Sequence, residues 1–250
     1  PPKPEADLGE TVLIDTRPGI ADMLAVMRVG AAVTRPDDGV VVPYSIAPAG
    51  GKDAAIAIVD AAVAKAAEQG LDSLGRVTVD DSFVAGTIRL VEELDASFVV
   101  LAWEGLRFGQ DLLLGNEIDA IGVQSPVPAM ALKVLRPWER VVAVAGDLST
   151  AWKREDGLLA LETAKRLAYS KDVSLVVITT DRSLLDGILD PDEVEVILTT
   201  DARKTTLETV TSTDLAVIPA HGLQAATGIW SWRVTKTFTD VSVAMVAGPH

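Results

Sequence analysis

Short apolar runs alternate along the chain with longer stretches in which apolar residues recur every three or four positions. The first run, TVLIDT at 11–16, is β-branched and stops at Arg17-Pro18-Gly19, which predicts a buried strand and a turn. A helical stretch over 21–35 and a strand over 39–45 follow. Residues 52–70 are rich in strong helix formers and close on glycine, a usual helix stop. Further strands are predicted at 76–81, 97–103 and 127–134, with a helix over 82–96 and another opening near Gly115.

After a short junction at 135–139 the series restarts. Strands are predicted at 140–149 (running into a turn), 173–180, 194–200, 214–220 and 241–248. One helix covers 154–170, with Leu158, Leu161, Ala164 and Leu167 on its apolar stripe. A last helix is expected over 223–236, and the short segment 181–189 leaves the second helix of this half reduced. Two alternating β/α series predict an α/β protein of two tandem doubly wound five-stranded parallel-sheet domains. The boundaries expected are a linker at 1–10, a first domain at 11–136 and a second at 137–250. Such sheets bind ligands beyond the carboxyl ends of their strands, where strand order reverses. Attention therefore falls on the residues after each first, second and fourth strand.

Composition narrows the chemistry. A formal net charge of −14 disfavours nucleic acid as a partner. The chain has no cysteine and only two histidines, His221 and His250, which removes disulfides, thiolate nucleophiles and histidine-rich metal sites. No apolar run approaches the roughly 20 residues that span a bilayer. The opening PPKPEADLGE reads as a linker and predicts a piece of a longer protein. Carboxylate pairs such as Asp37-Asp38, Asp80-Asp81 and Glu92-Glu93 fall at turns or helix ends and read as caps or surface charge. No nucleophile elbow, Walker A sequence or dinucleotide fingerprint is present.

The richest stretch follows the fourth strand: LAWEGLRFGQDLLLGNEIDAIGVQSPVPAMALKV. Glycines at Gly105 and Gly115 bring backbone N–H groups close to an anion, and a helix starting at Gly115-Asn116 offers it free N–H groups and a positive dipole end. Arg107 adds a charge-assisted donor. This pattern resembles the universal stress protein family, whose nucleotide-binding members carry Gly-x2-Gly-x9-Gly-Ser/Thr here. The aligned residues are Ala102, Gly105, Gly115 and Asn116, so the first glycine and the final hydroxyl differ. The resemblance covers both halves in strand order and implies an internal pseudo-dimer.

Carried over position by position, the resemblance implies further contacts. The family's nucleoside-binding Asp aligns with Arg17, behind Asp15 and Thr16. Val42, Pro43 and Tyr44 align with the backbone that meets adenine, with Tyr44 open to two readings, a base platform or a core residue. In the second half Asp147 takes the first-strand Asp position, followed by Ser149. The loop after its fourth strand keeps only Gly222, beside His221, and places Trp232 and Arg233 where the Gly-Ser/Thr should be. His221 reads as a loop residue and Trp230 and Trp232 as packing.

The stretches AWEG, LLLGNEIDAI and SPVPAMAL are also similar to universal stress domains fused behind cation/proton antiporters. That similarity implies a cytosolic regulatory domain, not an enzyme, that binds ATP, ADP, AMP or cyclic di-AMP, needs no cofactor and no metal, and modulates an attached transporter. A structural or dimerisation module without ligand, and a weak nucleotide hydrolase, are the alternatives. A homodimer is left open.

Overall fold

The computed structural model describes residues 9–17, 20–34, 39–68, 70–103, 111–146, 154–190, 192–220, 238 and 240–249. The chain divides into two compact units, one holding residues 7–104 and 120–132 and the other residues 105–119 and 133–248.

In the first unit the strands are β1 (Thr11–Asp15), β2 (Val40–Ala47), β3 (Arg76–Val79), β4 (Phe98–Ala102) and β5 (Ala129–Lys133). The helices between these strands are α1 (Ile20–Val33), α2 (Lys52–Glu68), α3 (Phe83–Glu93) and α4 (Asp111–Gln124), of which residues 111–119 group with the other unit. Strand order is β3-β2-β1-β4-β5, and each neighbouring pair is parallel. β1 and β4 sit at the centre and are apolar on both faces, with Leu13, Ile14, Val99 and Val100 fully buried. That is the signature of a parallel strand covered by helices on each side. Connections from β1 run outward to β2 and β3, then cross back to β4 and β5. The order therefore reverses between β1 and β4.

The second unit repeats the arrangement with β6 (Arg140–Ala145), β7 (Ser174–Thr179), β8 (Glu195–Leu198), β9 (Asp214–Pro219) and β10 (Ser242–Ala247). Its order, β8-β7-β6-β9-β10, matches the first unit strand for strand and is again parallel throughout. α5 (Arg154–Lys171) buries Leu161, Ala164 and Leu167 of its predicted stripe and Ala160 beside them, while Leu158 is half-buried. Residues 181–189 form one short 3-10 turn at Arg182–Leu184, so the second helix is indeed reduced.

α6 (Ala202–Thr209) was not foreseen. Its eight residues include three threonines, which weaken the helical pattern. The Asp201 carboxylate caps it by accepting from the Lys204 N–H at 2.9 Å. The expected helix over 223–236 lies outside the described residues.

Three helix ends share one cap. After α2, α3 and α5 comes a residue with positive φ: Gly70 at 73°, Asp95 at 47° and Asp172 at 54°. The next residue then donates back across the last turn, Leu71 to Ala66 at 3.0 Å, Ala96 to Val91 at 2.9 Å and Val173 to Ala168 at 3.1 Å. This left-handed cap satisfies carbonyls that the helix leaves open.

Candidate functional site

The reversal point of the first unit lies past the carboxyl ends of β1 and β4, and the residues there were singled out by sequence. β1 ends on Asp15, whose side chain is fully buried. A carboxylate so placed requires donors. Arg17 supplies them: its backbone N–H donates to Oδ1 at 3.0 Å, its Nε to Oδ2 at 2.9 Å, and its Nη2 lies 2.8 Å from the same oxygen. Thr16 turns the other way. Its N–H (3.0 Å) and its hydroxyl (2.8 Å) both donate to the Tyr44 carbonyl.

Tyr44 is a core residue. The side chain is fully buried, its hydroxyl lies 3.2 Å from the Thr87 hydroxyl, and its ring stacks on Phe83 with centroids 6.2 Å apart. Burial pushes the phenol pKa up, helped by the Asp15 carboxylate and opposed by the Thr87 hydrogen bond and the Arg17 charge. Of the two readings of Tyr44, the base platform fails because the ring is sealed in. Val42 and Pro43 lie inside β2 rather than at its end. β2 continues to Ala47 because β3 pairs with Tyr44–Ala47, so both residues lie mid-strand, beside Leu13 and Ile14, and are buried.

Phe83 was missed by the sequence reading. It begins α3, and the Arg17 guanidinium lies over its ring with Cζ 3.3 Å from the centroid. Beside it, Asp80 is ion-paired with Arg89 and accepts from the Ser82 N–H at 2.9 Å. The Ser82 hydroxyl caps α3 by accepting from the Ala85 N–H at 3.2 Å. α3 lies close to the sheet at Gly86, where an added Cβ would stand 2.7 Å from Ile46 Cγ2. No single local signal announces Phe83, because it meets Arg17 only through the fold.

At the carboxyl end of β4, Ala102 and Trp103 are buried, and the Trp103 N–H donates to the Leu132 carbonyl at 2.8 Å. Gly105 and Arg107 lie outside the described residues. The helix expected to start at Gly115 starts at Asp111 instead, so Gly115 and Asn116 stand in its second turn. An N–H four residues into a helix belongs to the internal ladder. The free N–H groups of α4 are therefore those at its start near Asp111, and the leucine-rich DLLL segment accounts for the earlier start.

In the second unit β6 ends at Ala145 and Gly146. The Thr179 hydroxyl lies 2.8 Å from the Ala145 carbonyl, and the Ala220 N–H donates to the Val246 carbonyl at 2.8 Å. A Cβ added at Gly146 would stand 3.1 Å from Ala202 Cβ and 3.2 Å from the Thr180 nitrogen, so the start of α6 packs tightly on this strand end. Asp147, Ser149, His221, Gly222, Trp230, Trp232 and Arg233 lie outside the described residues. Among the described residues, no group of three or more acidic or histidine side chains is placed to hold a metal ion, and no helix is long and apolar enough to cross a membrane.

No family model matches the sequence, and no curated protein matches it either. Solved structures do. A universal stress protein from Archaeoglobus fulgidus DSM 4304 superposes with a TM-score of 0.63 at 16% identity, covering 96% of each chain. A putative universal stress protein from Pseudomonas aeruginosa UCBPP-PA14 gives 0.64 at 12% identity, covering 98% of this chain and 94% of the other. A functionally unknown protein from Pseudomonas aeruginosa PAO1 gives 0.62 at 12% identity, with the same coverage. Together with the strand order of each unit, these likenesses establish that the chain has the fold of the universal stress proteins.

Proposed function

We propose that the chain is a regulatory domain that binds an adenine nucleotide (ATP, ADP, AMP or cyclic di-AMP) at the carboxyl edge of its first unit. The observation that carries this reading is the reversal of strand order between β1 and β4, the general ligand position of open parallel sheets. Asp15 ends β1, Thr16 and Arg17 follow it, and Ala102 ends β4 at that point, which supports the reading. The role proposed is binding rather than catalysis: among the described residues at this edge the Asp15 carboxylate is held by Arg17 and the Thr16 hydroxyl by the Tyr44 carbonyl. Coupling to an attached transporter, with the domain on the cytosolic side, extends the same proposal and rests on the sequence resemblance alone. In that setting the ligand acts by population shift, favouring whichever arrangement binds it more tightly.

A second reading is favoured by a specific observation. Tyr44 is sealed in the core, its carbonyl is taken by Thr16, and Arg17 is folded onto Phe83. A closed edge of this kind suits a structural module that binds nothing. A thermal-shift panel of ATP, ADP, AMP, cyclic AMP and cyclic di-AMP separates the two. At a ligand concentration about a hundred times its Kd, binding adds roughly 2.7 kcal/mol of stability. A rise in Tm with at least one of them is the expected result. A flat response across the panel, from protein that purifies without absorbance at 260 nm, rejects nucleotide binding in favour of the structural module.

A further inference from the structure

The nucleotide-binding reading meets an obstacle in Arg17, and the obstacle is itself informative. Arg17, Phe83 and Tyr44 form a continuous stack of one planar cation and two rings. The rings are inclined by only 17°, and the stack is rooted in the core at Tyr44. Only about a quarter of the Arg17 side chain is exposed. The edge of its guanidinium faces the buried Asp15 carboxylate while its face covers Phe83. An aromatic face beside a carboxylate is a place for a flat, electron-poor group rich in N–H donors. A guanidinium fits that description, and an aminopurine shares with it a flat face and one exocyclic amino donor.

We infer that Arg17 is an intramolecular gate on the candidate site: its guanidinium holds Phe83 and Asp15, and a nucleobase reaches them only after Arg17 swings out. This rests on the nucleotide-binding reading above. The salt bridge itself is local, two residues apart, while the stacking on Phe83 joins the turn after β1 to the start of α3. Opening costs the charge partner of a buried carboxylate, which an incoming base offsets by presenting its own N–H groups to Asp15. The closed form therefore dominates the empty protein. The apparent affinity is lowered by the fraction of molecules in which the gate stands open.

A gate and a purely structural ion pair differ in one measurable respect. Removing a structural pair lowers stability and leaves affinity unchanged or weaker. Removing a gate lowers stability and strengthens binding. Titration calorimetry with ATP, AMP and cyclic di-AMP on the wild type, Arg17→Ala and Arg17→Lys, with thermal unfolding of the same samples, tests the difference. Arg17→Ala is expected to bind its ligand about tenfold more tightly, equivalent to ~1.4 kcal/mol, while its unliganded Tm falls. Arg17→Lys keeps a charge beside Asp15 without the planar face, and is expected to fall between the two. It serves as the test if the alanine variant does not fold. Binding that is equal in the wild type and both variants, or weaker in the variants, overturns the gate and leaves the nucleotide-binding reading standing. No binding by any of the three proteins overturns both.

Discussion

The first strands of the two units, β1 and β6, occupy the same place in the same strand order yet carry their charge at opposite ends. β1 closes on Asp15, held by Arg17 two residues later. β6 opens on Arg140, held by Asp214 at the start of β9. There Nε donates to Oδ1 at 3.0 Å and Nη2 donates to Oδ2 at 2.7 Å. Asp214 also accepts the Thr211 N–H at 2.7 Å and lies 3.0 Å from the Thr211 hydroxyl, while Arg140 reaches the Thr209 carbonyl at 3.1 Å. The Arg140 pair therefore ties two adjacent strands and the turn between α6 and β9, across 74 residues of sequence. The Asp15 pair joins residues two positions apart, and its guanidinium also covers Phe83 at the start of α3. Two ion pairs of similar geometry thus have different work: one anchors the amino edge of a sheet, and the other covers a carboxyl edge where ligands bind in folds of this class.

The sharpest way to break this contrast is Arg140→Ala. It strands a buried carboxylate and is expected to cost about 3 kcal/mol, read as a lowered urea midpoint; a loss no larger than that of Arg17→Ala would erase the distinction. The same anchor has a pH signature. Burial pushes the Asp214 carboxyl up, but the Arg140 and Thr211 hydrogen bonds outweigh it and hold the pKa below its ordinary value. Its stabilisation is therefore complete above the unfolded value of about 4 and is lost as pH falls through the lowered folded value. Asp214→Asn is expected to remove this acid-dependent component, seen as a flatter stability profile below about pH 4 in urea titrations.

Next in size is Gly86→Val, which drives a side chain into Ile46 and is expected to destabilise by about 2 kcal/mol through overpacking. Guanidinium unfolding reads this directly. Tyr44→Phe removes the hydroxyl facing Thr87 and is expected to cost about 1 kcal/mol. A larger loss in chemical denaturation would mean that the phenol supports the Arg17 stack beyond this one contact. Smallest are the caps of the equivalent helices α3 and α6. Asp201→Ala, which removes a charged acceptor at 2.9 Å, is expected to cost ~1 kcal/mol, and Ser82→Ala, with its 3.2 Å contact, somewhat less. Thermal melts that reverse this ranking would show that α6 is held by its packing against Gly146 rather than by its cap.

The ten strands were legible because each is a short β-branched or apolar run bounded by turn residues, and the repeat of their order made the two-unit reading legible as well. What escaped notice had no local mark. α6 is short and threonine-rich. β2 runs on past Ser45 because β3 supplies partners that the local sequence does not show. For α4, glycine spacing pointed to a start at Gly115, while the leucines before it carried the helix back to Asp111. At the candidate site, Asp15, Thr16 and Arg17 were found by their position after β1. Phe83, which meets Arg17, and Thr87, which meets Tyr44, were not, since contacts between residues so far apart in sequence are set by the packing of α3 on the sheet.

The left-handed caps that end α2, α3 and α5 have a practical bearing. At Gly70 the backbone turns without steric penalty, but at Asp95 and Asp172 a side chain is carried through the same turn. Those two aspartates mark places where the chain is less stable than its fold allows. Replacing them with glycine or asparagine offers thermal tolerance at sites just before β4 and β7, at the opposite ends of the strands from Asp15 and Arg17. Such a hardened background would let damaging substitutions at Asp15 or Arg17 be studied in protein that still folds.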